Sequence, residues 1–194
     1  MQEETTRRSN RERTETTRQA LMDAARALFI SKGYADTSTP DICASTATTR
    51  GALYHHFTDK RDLFRQVVVR EVHAITADIV AATPARLKPR EALIAGSDAY
   101  LKAMSVPGRT RLLLIDGPAV LGTAEIMAID EENAAKTLRQ GLRAAMPGAE
   151  DGFINALSNL LSAAFDRAAL EMDAGGDADE IRATLLWLLK KTLG

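Results

Sequence analysis

Apolar residues recur along this chain at spacings of three and four, and nowhere in the strict alternation of a strand, so the pattern predicts an all-α protein. A first helix covers about Thr14 to Lys32, with Ala20, Leu21, Ala24, Leu28 and Phe29 on one face, and Gly33 ends it. Two short helices follow, Pro40 to Ala44 with Thr39 as cap, then one from near Thr48 through Phe57 with Thr48 or Thr49 as cap. Asp59 caps a long helix to about Ala82, in which Leu63, Phe64, Val67, Val68, Glu71, Val72, Ile75, Ile79 and Val80 recur at helical spacing. Thr83-Pro84 and Lys88-Pro89 break the pattern. Five more helices are expected over about 89–105, 109–121, 124–146, 152–174 and 178–192, separated by Pro and Gly, with Gly117-Pro118 interrupting the second.

The pair of short helices carries the most specific chemistry. In the second, Leu53 and Phe57 lie four apart and can pack on Ile42, which turns Thr49, Arg50, Tyr54 and His55 outward. A short helix with one buried edge and one donor-rich edge suits a DNA major groove. Arg50 could read a guanine edge or neutralise a phosphate, Tyr54 could donate to a phosphate, and His55 could do either. Thr48, Thr49 and Gly51 stand at the exposed start of this helix. Thr39 and Lys60, each at a helix N-terminus, are placed to hold phosphates. Adjacent His55 and His56 point about 100° apart on a helix, so they do not form a metal pair.

Gly33-Tyr34, Thr37 to Ile42, and Gly51-Ala52-Leu53-Tyr54-His55-His56-Phe57 followed by Lys60, Leu63 and Phe64 closely resemble the DNA-binding domain of the TetR family of bacterial transcriptional regulators. The resemblance is sharp over roughly the first 70 residues and loose beyond. Family members usually carry Ala-Gly-Val in the turn, where this chain has Thr46-Ala47-Thr48, so the turn could close differently here. The segment from Arg111 to Gly122 also looks like one in many TetR-family C-terminal domains. The resemblance implies DNA contacts by Thr39, Thr48, Thr49, Arg50, Gly51, Tyr54, His55, His56 and Lys60. It implies a three-helix DNA-binding domain over 14–60, with its motif at 38–57. A long shared helix then leads into a regulatory and dimerisation domain over 61–194.

Charge supports the division. Residues 1–70 hold 12 Lys+Arg against 9 Asp+Glu, while the remainder holds 13 against 17. An acidic remainder argues against nucleic acid covering the whole chain. The polar stretch 1–13 with Arg7, Arg8, Arg11 and Arg13 reads either as a frayed terminus or as an arm for phosphates and the minor groove, and Ser9 with Glu12 offers a capping box. No apolar run is long enough to span a membrane, and the single cysteine, Cys43, reads as a small core residue, which together with the regulator reading points to the cytoplasm.

The last two helices are too apolar for one buried face. Leu185 to Leu189 cover every side of a helix, and Phe153 to Met172 form a similarly wide stripe interspersed with alanines. Either they make a deeply buried hairpin, or one face packs inward and the other meets a second copy through Leu157, Leu161, Ala164, Phe165, Ala168, Leu185, Trp187 and Leu188. TetR-like proteins commonly dimerise through these helices, and the resemblance favours the second reading.

A small-molecule effector is implied by the resemblance, in a largely apolar cavity between the shared helix and those after it. Tyr100, Met104, Asp116, Met127 and Phe165 are the candidate lining, being large or polar within apolar helices, though each also reads as plain core. Asp130-Glu131-Glu132 and Asp177-Asp179-Glu180 read as solvated faces or helix starts. No phosphate loop, nucleophile elbow or Cys-x-x-Cys supports catalysis, and no cofactor is expected. The reading is a homodimeric repressor that binds a palindromic double-stranded DNA operator and is released by a mostly apolar ligand. An effector-independent regulator, controlled by abundance or a protein partner, is the alternative.

Overall fold

A computed structural model describes the backbone of residues 2–194 and the side chains from residue 12 onward. Helices and connecting turns account for all of it, and no strand occurs among the described residues. The chain divides into two compact units, Met1–Val68 and Val69–Gly194, and the division falls inside one continuous helix.

The first unit holds α1 (Gln2–Asp36), α2 (Thr39–Ser45), α3 (Arg50–His56) and the start of α4 (Lys60–Ala82). α1 begins well before the expected Thr14. The side chains of Arg7, Arg8 and Arg11, and the Ser9 half of the expected capping box, lie outside the described residues. Gly33 takes a φ of 84° and breaks the helical path where the sequence ends it, a conformation without steric cost for glycine. Leu21, Ala25 and Phe29 of α1 pack with Ile42, Leu53, Phe57, Leu63, Phe64, Val67 and Val68 to form the core. Edge-on ring contacts set Phe64 against Phe29 at 5.2 Å and against Tyr34 at 5.1 Å. Cys43 is buried here as a small core residue.

The second unit contains the rest of α4, then α5 (Pro89–Met104), α6 (Arg109–Arg111), a π-helical turn (Leu112–Asp116), α7 (Gly117–Leu121), α8 (Thr123–Glu131), α9 (Ala134–Ala145), α10 (Asp151–Asp173) and α11 (Ala178–Thr192). Two expectations change. The single helix over 124–146 is two, α8 and α9, parted at Asn133, whose φ and ψ of −127° and −110° are not helical and whose side chain donates to the Ile129 carbonyl at 2.6 Å. The Gly117-Pro118 interruption takes the form of the π turn just before it, which absorbs the missing proline N–H without ending the path.

A cluster of Leu93, Leu101, Leu142, Ile154, Leu161, Phe165, Leu185 and Leu189 fills the centre of this unit. Its helices approach closely where side chains are small. A methyl group on Gly141 would stand 2.9 Å from Leu93 Cδ1, and one on Gly96 would stand 3.2 Å from Thr83 Cγ2. The buried Arg109 pins the turn after α5: its Nε donates to Glu71 Oε2 on α4 at 2.8 Å, and Nη1 donates to the Ala103 carbonyl at 2.7 Å.

Candidate nucleic-acid interface and the cavity of the second unit

The helix pair of the first unit is built from its caps. The hydroxyl of Ser38, rather than of Thr39, caps α2: it accepts from the Asp41 N–H at 3.3 Å, while Asp41 accepts from the Ser38 N–H at 3.2 Å. This reciprocal box stabilises the carboxylate, and the Ser38 hydrogen bonds hold its pKa below the ordinary value. Thr39 lies one residue further in, buried, with its hydroxyl 3.4 Å from the Tyr54 hydroxyl on α3. The two helices are thereby tied by a polar contact beside their apolar one. The expectation of Thr39 as cap fails because Pro40 occupies the second helical position, one later than the sequence reading placed it.

The turn between them closes through Thr46, Ala47 and Thr48. Thr48 N–H donates to the Cys43 carbonyl at 3.0 Å, and the Thr46 hydroxyl reaches back to the Ile42 carbonyl at 3.1 Å. Ala47 has a φ of 52°, the one non-glycine residue with positive φ among those described. The turn is therefore the left-handed one that a glycine would fill without strain, and Ala47 adopts it at a cost of about 1–2 kcal/mol. Part of that cost is offset because alanine loses less entropy than glycine on folding. Ala47→Gly is expected to stabilise this unit by about 0.5–1 kcal/mol, read as a twofold to fivefold slowing of amide exchange over residues 39–57. Unchanged or faster exchange would mean that the turn is not strained.

α3 starts at Arg50, with the Thr49 hydroxyl accepting from the Ala52 N–H at 3.2 Å, and it ends one residue short of the expected Phe57. Leu53 and Phe57 face the core, while Thr49, Arg50, Gly51, Tyr54 and His55 are exposed together along the opposite edge. A methyl on Gly51 would meet only Thr49 Oγ1, at 3.9 Å, so nothing inside the protein demands glycine there. Its lack of a side chain leaves the backbone open to close approach from outside. Thr48 is half-buried at the turn.

His56 and Lys60 sit differently from those five. His56 is half-buried against Phe57, and burial first, then the neighbouring His55 and Arg18 charges, holds its pKa below the ordinary value, so it is neutral near pH 7. Lys60 Nζ donates to the Tyr34 and Thr37 carbonyls, both at 2.9 Å, and lies 4.2 Å from the centre of the Tyr34 ring. Two of its three protons are thus committed to carbonyls at and just beyond the end of α1, leaving one for a phosphate. The sequence pointed to Lys60 by type and position, but its partners lie 23 and 26 residues earlier and could not be read from it.

The second unit contains a cavity of about 280 Å³. Ile79, Leu93, Leu138 and Phe165 supply its apolar wall, and Gly96 and Ala134 leave the room. Of the five candidate residues, Tyr100 and Phe165 line it, with their rings edge-on at 5.7 Å. The other three do not. Met104 is packed in the core away from it, Asp116 pairs with Arg111 at 3.5 Å, and Met127 is exposed. Large or polar residues in apolar helices do not by themselves mark which side of a helix faces a void.

Two carboxylates were missed. Tyr100 donates its hydroxyl proton to Asp166 Oδ1 at 2.7 Å, and Asp130 stands among the lining residues. Asp130 was read as part of a solvated acidic run, yet only Glu131 and Glu132 are exposed. Desolvation, followed by the charge of Asp166, raises Asp130 to about 6, and desolvation raises Asp166 as well. A helical signal existed: Asp130 falls four residues after Ile126, and Asp166 four after Ser162, both on inward-facing edges.

The expected partner-facing set also divides. Leu161, Phe165, Ala168 and Leu185 are buried in the chain's own core, so they are corrected out of a face for a second copy. Leu157 and Ala164 are half-buried. Trp187 and Leu188 are exposed, and with them Phe153 and Leu160, the last at 71%. The five-residue apolar run of α11 covers every side, so sequence alone cannot say which residues turn inward.

Comparison with known proteins agrees with this architecture. Residues 21–67 match bacterial regulatory proteins of the tetR family, and residues 90–193, more than half of the chain, match the tetracyclin repressor-like C-terminal domain. Over 60 residues the chain is 40% identical to the HTH-type transcriptional regulator AcrR of Shigella flexneri, covering 31% of this chain and 28% of that protein. It is 38% identical over 64 residues to the HTH-type transcriptional repressor BepR of Brucella suis, covering 33% of this chain and 30% of that one. The matched stretch therefore spans less than a third of these relatives. A crystal structure of a TetR-family transcriptional regulator from Pectobacterium atrosepticum matches with a TM-score of 0.70 and 30% identity, over 94% of this chain and 95% of that chain.

Proposed function

The chain belongs to the tetR family of bacterial regulatory proteins and is a DNA-binding transcriptional regulator, not an enzyme, and we propose that it acts as a homodimeric repressor released from a palindromic operator by a small molecule. The exposed edge of α3 carries this reading, because Thr49, Arg50, Gly51, Tyr54 and His55 share one side of a helix whose other side is locked into the core. Arg50 and Tyr54 are assigned to base edges or their phosphates, Gly51 to close backbone approach, and Thr39, Thr48, His55, His56 and the third proton of Lys60 to flanking contacts. The name of the BepR relative, a transcriptional repressor, favours repression over activation.

Dimerisation is inferred from α10 and α11. Phe153, Leu160, Trp187 and Leu188 are large apolar residues left exposed on these two helices, which pack on one another within the chain. A second copy that covers them would remove the largest apolar exposure on these helices and join two copies of the DNA-binding unit in one molecule. A palindromic operator follows from that twofold symmetry. Analytical ultracentrifugation tests this: the wild type is expected to sediment as a dimer, and Leu160→Glu with Trp187→Glu to weaken association at least tenfold. A wild-type monomer at micromolar concentration, or a double variant as dimeric as wild type, would remove this interface.

Ligand response is assigned to the cavity. α4 contributes Leu63, Phe64 and Val67 to the core of the first unit and Ile79 to the cavity wall of the second. An occupant that prefers the conformer unable to bind DNA by about 10³-fold would shift the equilibrium by about 4 kcal/mol.

A further inference from the structure

The polar lining of the cavity is neutral apart from one carboxylate: Thr83, Ser97, Thr137, Gln140 and Ser162 contribute hydroxyl and amide groups that carry no charge. Asp130 is the one charged residue lining it, and no lysine, arginine or histidine is among the lining residues. The Tyr100 hydroxyl donates its hydrogen bond to Asp166, so it has lone pairs and no free donor left for an occupant. Neither Asp130 nor Asp166 has an ion-pair partner among the described residues, whereas the neighbouring Asp98 of α5 has two, Arg182 at 2.7 Å and Lys102 at 2.6 Å. Two half-buried carboxylates beside an apolar chamber, with no cation to meet them, are an arrangement that an occupant can improve.

We propose that the cavity takes an organic monocation, an ammonium headgroup on an apolar body, with the Asp130 carboxylate in the wall and the Asp166 carboxylate behind the Tyr100 hydroxyl as its counter-charge and the rings of Tyr100 and Phe165 beside it. This rests on the reading of the cavity as the effector site and names the class of effector. An anion would meet the like charge of Asp130 with that of Asp166 close behind it, and a neutral molecule would leave both carboxylates without a counter-charge. Aromatic faces add attraction for a cation that has shed its water. A volume of about 280 Å³ accommodates a small ligand such as one substituted ring or a short branched chain.

A pH dependence accompanies it. The groups that face Asp130 are Asp166 from α10, the Tyr100 hydroxyl from α5, the Ala135 N–H from α9 and Glu131 beside it on α8. With Asp130 titrating at about 6, its negative charge, and the cation affinity, are present above that pH and are lost as pH falls through it.

Calorimetric titration of the full chain with phenyltrimethylammonium and with its uncharged carbon isostere, tert-butylbenzene, tests the proposal. The cation is expected to bind at least tenfold more tightly at pH 7.5 and to lose most of that advantage at pH 5. Asp130→Asn and Asp166→Asn should each weaken the cation about tenfold and leave tert-butylbenzene unchanged, which also shows that the variants fold. Equal binding of the two probes, or cation binding that is indifferent to both substitutions, overturns the cation assignment and leaves the cavity as an apolar ligand site. Binding of neither probe overturns the cation assignment and the effector-site reading together.

Discussion

Glu71→Ala is expected to lower the stability of the second unit by about 3–5 kcal/mol, as much as truncating a buried core leucine. Arg109 is 7% exposed, and its guanidinium is held by one carboxylate and one carbonyl. Removing Glu71 leaves a buried cation without a counter-charge, and the desolvation penalty of that cation is what the variant would suffer. For a domain of this size the effect is a fall in Tm of about 10 °C, read by far-UV circular dichroism. Glu71→Leu combined with Arg109→Met should recover much of the loss, although the Ala103 carbonyl would then lack its donor. A loss below about 1 kcal/mol for Glu71→Ala would show that the pair is solvated and contributes like a surface bridge.

The second large effect concerns DNA. Arg50→Ala and Tyr54→Ala are each expected to cost about 1–3 kcal/mol in affinity for the specific site, about tenfold to a hundredfold, without unfolding the domain. Both side chains stand outside the core, so truncation removes contacts to a partner and not packing. The two possible roles of Arg50 separate cleanly. If it reads a base, discrimination against one mutated base pair collapses while non-specific binding stays. If it neutralises a phosphate, all sequences weaken together and the salt slope falls by about one. Thr39→Val should slightly weaken binding through Tyr54, whose hydroxyl it no longer holds.

Much of this was legible in the sequence because it is written locally. Helix periodicity, the glycine at Gly33, the prolines and the Asp59 cap, which accepts from the Asp62 N–H at 2.7 Å, are signals that act within a turn or two of themselves. The outward edge of α3 followed from Leu53 and Phe57 alone. What failed was set by distant partners. Glu71 sat in an apolar stripe with nothing to show that Arg109, 38 residues on, would meet it. Asp130 and Asp166 look solvated until α5, α8, α9 and α10 enclose them. On α10 and α11 the apolar content exceeds one face, so the sequence announced a second interface without saying which residues form it. Ala47 is the instructive case: a residue other than glycine in the turn was visible in the sequence, and the structure shows a left-handed conformation there, to which alanine is less suited.

The central claim is that the exposed edge of α3 reads a specific operator. Selection of bound fragments from the genomic DNA of the source bacterium by the purified protein, repeated with Arg50→Ala and Tyr54→Ala, tests it most directly. The account predicts that the wild type enriches a twofold-symmetric site and that both variants lose that enrichment while still binding DNA weakly at low salt. Enrichment of no sequence above non-specific background by the wild type, or equal enrichment of the same site by both variants, would contradict it.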